Sequence, residues 1–284
     1  MNADRIVAVT GATGRQGGAV TRQLLADGWR VRALTRHPRG EPARRLATLG
    51  ADVLGADMAD PATLRKAFQG AHGVFSVQNP MICGVAEEVV QGRNVADAAA
   101  QAGVRHLVYA SAGVGRSGTG IGSWESKLQV QAYLEQLGVP FTVTRPMGFM
   151  ELMTDRAFYP QVSTWNLMPR LMGADRPVGW LCVDDLGAVV AKLFADPDRF
   201  VGADLQLVAD VRSIAECRVL WKEATGRAPR RLPMPVGLFE RFVGTDLTTM
   251  WRWLSTAEFP METAPTRELL PEALTVPEWL SRRP

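Results

Sequence analysis

Cysteine is scarce: Cys83, Cys182 and Cys217 stand far apart in 284 residues, with no C-x-x-C pair. That argues against a disulfide framework or a thiolate zinc site and fits a reducing compartment. Histidine is as rare. His37, His72 and His106 have no ligand spacing, so no metal is expected. Long apolar runs are also lacking. Nothing approaches the ~18 residues a membrane span needs, and the "IVAV" run is too short for a signal-peptide core. A soluble, cytoplasmic chain without membrane contact is the expectation. Charge of one sign is lacking too: the formal net charge is +3. Direct nucleic-acid binding is therefore not expected, although Arg30, Arg32, Arg36, Arg39, Arg44 and Arg45 form a local basic run.

What is present is enough apolar residue, 46%, for a sizeable core. Up to about residue 145 short apolar runs alternate with helical stretches. The runs "RIVAVT", "WRVRALT", "ADVLGAD", "GVFSV", "RHLVYAS" and "PFTVTRP" read as six strands. Between them lie helical patterns such as "GRQGGAVTRQLLADG", "PATLRKAFQ" with proline at a first helical position, and "SWESKLQVQAYLEQLG". From Val85, the residues Val85, Val89, Gly92, Ala96 and Ala99 keep helical spacing on one face. Strands joined by helices imply right-handed crossovers and an α/β, doubly wound parallel sheet of the Rossmann type. Ligands bind such sheets beyond the carboxyl ends of the strands, where strand order reverses.

After residue 146 prolines become frequent and six of the eight tryptophans follow. "VDDLGAVVAKLFADP" reads as one more sheet-covering helix and "DLQLV" as a seventh strand. The expected division is residues 1–150 plus about 181–209 as a dinucleotide-binding domain. Residues 151–180 plus 210–284 form a small, mainly helical C-terminal lobe for substrate or partner.

Gly11, Gly14 and Gly17 form G-x-x-G-x-x-G between the first strand and the first helix. Glycine there allows a sharp turn, close backbone approach to a pyrophosphate, and tight packing of helix on strand. The helix N-terminus then offers amide donors and partial positive charge to phosphate. An NAD site has an acid at the end of the second strand, on the ribose 2′-hydroxyl. This chain has "LTRHPR" there, with Arg36 in the expected place. A guanidinium suits a 2′-phosphate, so the cofactor expected is NADP(H).

The segments "VTGATGRQGGAV", "ALTRHPR", "GADMAD", "FSVQNP", "SWESKLQVQAYL", "CVDDLGAVV" and "ELLPEALTVPEWL" together resemble the NmrA-like branch of the atypical short-chain dehydrogenase/reductases. The resemblance runs nearly end to end. It implies adenosine-phosphate contacts at Gly11, Thr13, Gly14, Arg15, Gln16, Gly17 and Arg36. It implies that Asp57 and Met58 flank the adenine, and that Val77, Gln78 and Asn79 line the ribose and nicotinamide path. Lys127 matches the family's lysine near the nicotinamide ribose, and Pro146 and Phe149 would sit by the nicotinamide. Ser111 stands where related enzymes place an active-site serine.

Many short-chain dehydrogenases use Tyr-x-x-x-Lys, the lysine lowering the tyrosine pKa. Here Lys127 is present, but Ser123 occupies the tyrosine's position. Tyr109 and Tyr133 read as core, and Tyr159 lies in the small lobe. Lys127 continues the Val130–Leu134 stripe and is expected to point into the ligand crevice. The family's pattern often has histidine at Ser123 and asparagine at Leu152; both departures remove polar groups. Two functions follow. One is an NADPH-dependent oxidoreductase passing hydride to a small apolar electrophile such as a quinone or enone, with Lys127 and Ser111 as the catalytic candidates. The other is a non-catalytic NADP(H) redox sensor that regulates a partner protein or transcription factor.

Overall fold

The computed structural model describes residues 5–282. Within them the chain divides into two compact units. One runs to Gly115 and takes in Ser123–Arg145 and Val183–Leu205. The other comprises Arg116–Gly122, Pro146–Cys182 and the chain from Gln206 onward.

The first unit is built on strands β1 (Ile6–Val9), β2 (Arg30–Thr35), β3 (Asp52–Gly55), β4 (Gly73–Ser76), β5 (His106–Ala110) and β6 (Phe141–Pro146). Their neighbouring pairs are all parallel. With the strand Asp204–Leu207 they make a seven-stranded sheet whose order runs β3-β2-β1-β4-β5-β6 and ends on that strand. Strand order reverses between β1 and β4, so the crevice of this doubly wound sheet opens beyond those two carboxyl ends. β1, β4 and β5 are buried almost throughout, as their unbroken apolar runs predict for strands covered on both faces.

The covering helices are α1 (Arg15–Ala26), α2 (Glu41–Thr48), α3 (Pro61–Phe68), α4 (Pro80–Cys83), α5 (Val85–Ala102), α6 (Gly122–Leu137) and a later helix, Val183–Ala195. Asp60 caps α3, accepting from the Ala62 amide at 2.9 Å, and Pro61 fills the first helical position where no amide partner is needed. α5 and α6 meet closely at Gly92: a Cβ there would lie 2.4 Å from Val130 Cγ2. The core on this side of the sheet joins Leu64, Phe68, Val95, Leu107, Tyr109 and Leu134.

Two details of the helix faces differ from the sequence pattern. On α5, Val85 is exposed and Glu88 is fully buried, so a carboxylate occupies the first turn of the buried stripe. On α6, Leu137 is exposed in the last turn. Tyr133 is only half-buried because its hydroxyl reaches out to donate to Asp97 at 2.8 Å.

The second unit carries the helices α7 (Met168–Leu171), Ile214–Thr225, Val236–Val243, Asp246–Thr256, Ala264–Leu269 and Val276–Ser281. It also holds a three-stranded sheet that composition did not reveal: β7 (Gly148–Phe149), β8 (Pro177–Leu181) and the strand Asp210–Ser213, with β8 in the middle. Trp165, Trp180, Trp251 and Trp279 are buried in this unit's core with Met150, Met153 and Leu274. Most of the tryptophan enrichment is thus packing.

Candidate functional site

The glycine turn follows directly from β1. Thr10, the last residue before it, ties the ends of β1 and β4 together. Its hydroxyl oxygen accepts from the Val77 amide at 2.8 Å, and its own amide donates to the Phe75 carbonyl at 3.0 Å. Gly11 has φ +58°, a left-handed conformation that costs glycine little, and a Cβ there would meet Val77 Cγ1 at 3.0 Å. A Cβ on Gly17 would lie 2.4 Å from the Gly11 carbonyl oxygen, so the first turn of α1 can fold onto the loop only without a side chain. No side chain caps α1 and no acidic residue stands in its first turn, while Thr13, Gly14 and Arg15 are exposed. An uncapped helix end of this kind suits an anion.

The end of β2 lies alongside. The Ala12 amide in the glycine turn donates to the Leu34 carbonyl at 3.3 Å. Arg36 follows Thr35, the last residue of β2, and is exposed; the ion pairs among the described residues do not include it.

Beyond β3 and β4 three of the sequence candidates, Met58, Gln78 and Lys127, come together. Gln78 is buried; its Nε2 donates to Ser76 Oγ at 3.1 Å and lies 3.6 Å from Met58 Sδ, while its Oε1 is buried without a partner. Gln16 Oε1, in the first turn of α1, is likewise buried and unpartnered. Asp57 turns its carboxylate to the Ala59 amide at 3.0 Å. Asn79 is spent as the cap of α4, accepting from the Met81 amide at 3.0 Å. Lys127 reaches in from α6 and its Nζ donates to the Gln78 carbonyl at 3.4 Å.

Lys127 is not a lone amine. Its Nζ also donates to Glu88 Oε1 at 2.6 Å, and the second carboxylate oxygen of Glu88 accepts from Ser126 Oγ. Burial of an unpaired carboxylate would be costly; two donors on Glu88 offset it. Tyr109, fully buried in β5, has a hydroxyl without a partner. Burial first, and then the Glu88 charge, pushes its pKa well above the ordinary 10, so it remains a neutral phenol.

Ser111 goes elsewhere. Its Oγ accepts from Arg145 Nη1 at 2.8 Å, and the same guanidinium is held by both carboxylate oxygens of Asp204, at 2.7 and 2.9 Å. The serine is an acceptor in a buried arginine network that joins β5 to β6. Pro146 closes β6 and Phe149 lies in β7; both belong to the second unit.

Glu88, Thr10 and Arg145 were not anticipated. Glu88 had a visible signal, since it stands four residues before Gly92 on the α5 stripe. Thr10 and Arg145 had none, because their partners are 67 and 59 residues away.

Among the described residues no group of three or more histidine, cysteine, aspartate or glutamate side chains is placed to hold a metal ion, and no helix is long and apolar enough to cross a membrane.

The NmrA-like family model matches residues 3–280. The NmrA-like family domain-containing oxidoreductase lnaB of Aspergillus flavus is 30% identical over 259 residues, covering 82% of this chain and 77% of the relative. The fold superposes on NmrA, a negative transcriptional regulator solved in complex with NADP, with TM-score 0.78 and 22% identity, over 99% of this chain and 95% of that one. It superposes equally on the triphenylmethane reductase of Citrobacter sp. complexed with NADP(H), with TM-score 0.78 and 20% identity, over 98% and 99% of the two chains. This chain belongs to the NmrA-like family.

Proposed function

We propose that this chain is an NADPH-dependent reductase that passes hydride to a small, apolar, electron-poor acceptor of the quinone or enone class. The observation that carries this reading is the convergence at the β1–β4 switch point of the glycine turn, the unpartnered Gln78 Oε1 and the buried Lys127. NADP-bound structural neighbours and relatives named as oxidoreductases support it.

The residues fit the dinucleotide. The bare turn from Gly11 to Gly17 admits a pyrophosphate against the start of α1. Arg36, exposed beside it, meets the 2′-phosphate. Asp57 and Met58 flank the adenine, and Val77, Gln78 and Asn79 border the path toward the nicotinamide. Gln78 Oε1, buried without a donor, accepts from a hydroxyl or carboxamide of the cofactor. An ammonium has three N–H donors; Lys127 uses one on Glu88 and one on Gln78, and the third is left for the ribose. Pro146 and Phe149 are assigned to the nicotinamide end. Bound NADPH supplies the hydride. Without an acid at position 123 the chain suits acceptors already electron-poor, whose product takes its proton from water.

The second reading, an NADP(H) sensor acting on a regulatory protein, is favoured by one observation: Lys127 is held by Glu88 and Ser111 by Arg145, so both candidates are tied into buried networks, and serine stands where the tyrosine acid would be. NADPH absorbance with a panel of quinones and enones separates the two. Acceptor-dependent decay, reduced at least tenfold in Lys127→Ala, supports the reductase. Tight NADPH binding with no decay on any acceptor overturns it in favour of the sensor.

A further inference from the structure

The second unit contains a cavity of about 370 Å³ that the reductase reading does not use. One wall comes from residues 153–165 and the other from the end of the helix Ile214–Thr225 and the loop after it. Trp165 and Trp221 pack edge to face against each other in its wall, 5.5 Å between ring centroids, with Met153 beside them. Trp165 is fixed by its indole N–H, which donates to the Met153 carbonyl at 3.2 Å. The walls are strapped together where the Leu232 amide donates to the Gln161 carbonyl at 2.9 Å. On the other wall Thr225 Oγ1 bonds the carbonyls of Trp221 and Arg227 at 2.7 and 3.0 Å.

Two backbone irregularities lie in the first wall. Ser163–Leu167 is a π-helix, a rare form concentrated at functional sites. Tyr159, just before it, has φ +43°, the only positive φ outside glycine among the described residues. Such a conformation in an aromatic residue persists where surrounding contacts impose it.

The charge is one-sided. Arg227 and Arg230 line the cavity, and Arg218 and Arg231 stand close by in the same unit. None of the four forms an ion pair with a described carboxylate. Arg218 donates to the Trp165 carbonyl, while its Nε is buried without a partner. The half-buried Trp221, backed by Trp165, offers an aromatic surface to a flat apolar body, and the guanidinium groups without a carboxylate partner select a carboxylate, which they bind through paired N–H donors. The volume is at the small end for ligand sites and matches one or two fused rings.

We propose that this cavity is a binding site for a small planar aromatic carboxylate. The proposal does not rest on hydride transfer, since none of the residues that line the cavity is among those assigned to the dinucleotide.

The test uses the full chain, with 2-naphthoate and the neutral 2-naphthalenemethanol as probes, titrated by calorimetry with and without saturating NADP+. Naphthoate binds below millimolar concentration, with the same affinity when NADP+ is present, and at least tenfold more tightly than the alcohol. Arg227 and Arg230 are exposed, so the double variant Arg227→Gln/Arg230→Gln keeps its fold, checked by an unchanged near-ultraviolet circular dichroism spectrum of the tryptophans. It loses at least tenfold in naphthoate affinity and little in affinity for the alcohol. Trp221→Leu weakens both probes. Equal affinity for acid and alcohol, an unaffected double variant, displacement of naphthoate by NADP+, or no binding at millimolar naphthoate each overturns the proposal.

Discussion

Glu88 Oε1 lies 2.6 Å from Lys127 Nζ, with both side chains buried and the two residues 39 positions apart in the sequence. The two meet because α5 and α6 press together at Gly92 and Val130, one helical turn further along each helix. A lysine that reads as an isolated amine in the sequence is therefore half of an ion pair. Its aim at Gln78 is held from α5.

Breaking that pair leaves a buried ammonium without its counter-charge. Glu88→Gln should cost about 3–5 kcal/mol in urea denaturation. The double variant Glu88→Gln/Lys127→Met should lose less than the single one, since it removes both charges. A strictly additive cycle would show that the two side chains do not couple.

Gly17→Ala places a methyl group where the Gly11 carbonyl already stands, 2.4 Å away. The glycine turn must move to admit it. NADPH affinity measured by calorimetry should fall at least thirtyfold, about 2 kcal/mol. Unchanged affinity would show that the turn does not hold the diphosphate.

Arg36→Ala should weaken NADP(H) by about 1.5–3 kcal/mol, the loss of one charge-assisted contact, and leave NAD(H) nearly unchanged. Parallel titrations of the two cofactors check it. Equal loss for both would remove the arginine from 2′-phosphate selection.

His106 gives a pH dependence. Burial, with His72 as a smaller influence, lowers its pKa from 6.5 to about 4, and its Nε2 is 2.8 Å from Thr142 Oγ1. Between those two values the unfolded chain holds a proton that the folded chain does not. This contribution to stability is therefore complete above pH 6.5 and is lost as pH falls toward 4, reaching about 3 kcal/mol. Urea midpoints between pH 7.5 and 4.5, with the His106 ring followed by NMR, test it. A ring that protonates near pH 6.5 would contradict the assignment.

Much of this was legible in the sequence, for a local reason. Unbroken apolar runs fix buried strands, helical spacing fixes the helices between them, and a glycine triplet at a strand end fixes where the backbone must turn. Arg36 could be placed because strand, turn and charge lie within one short stretch. The family resemblance added Lys127 and Gln78, which the fold brings to 3.4 Å of each other.

Other features depend on which distant segments become neighbours. The sequence by itself determined the doubly wound sheet and the end of it at which the polar residues gather, because period and glycine placement act over a few residues. Only the tertiary structure decided that Lys127 is paired with Glu88 and that Ser111 serves Arg145. It also decided that Trp165, Trp180, Trp251 and Trp279 form a core, and that Trp165 packs there against Trp221 in the wall of a cavity. A buried charge takes its meaning from its partner, and the partner is chosen by helix and strand packing, not by position along the chain.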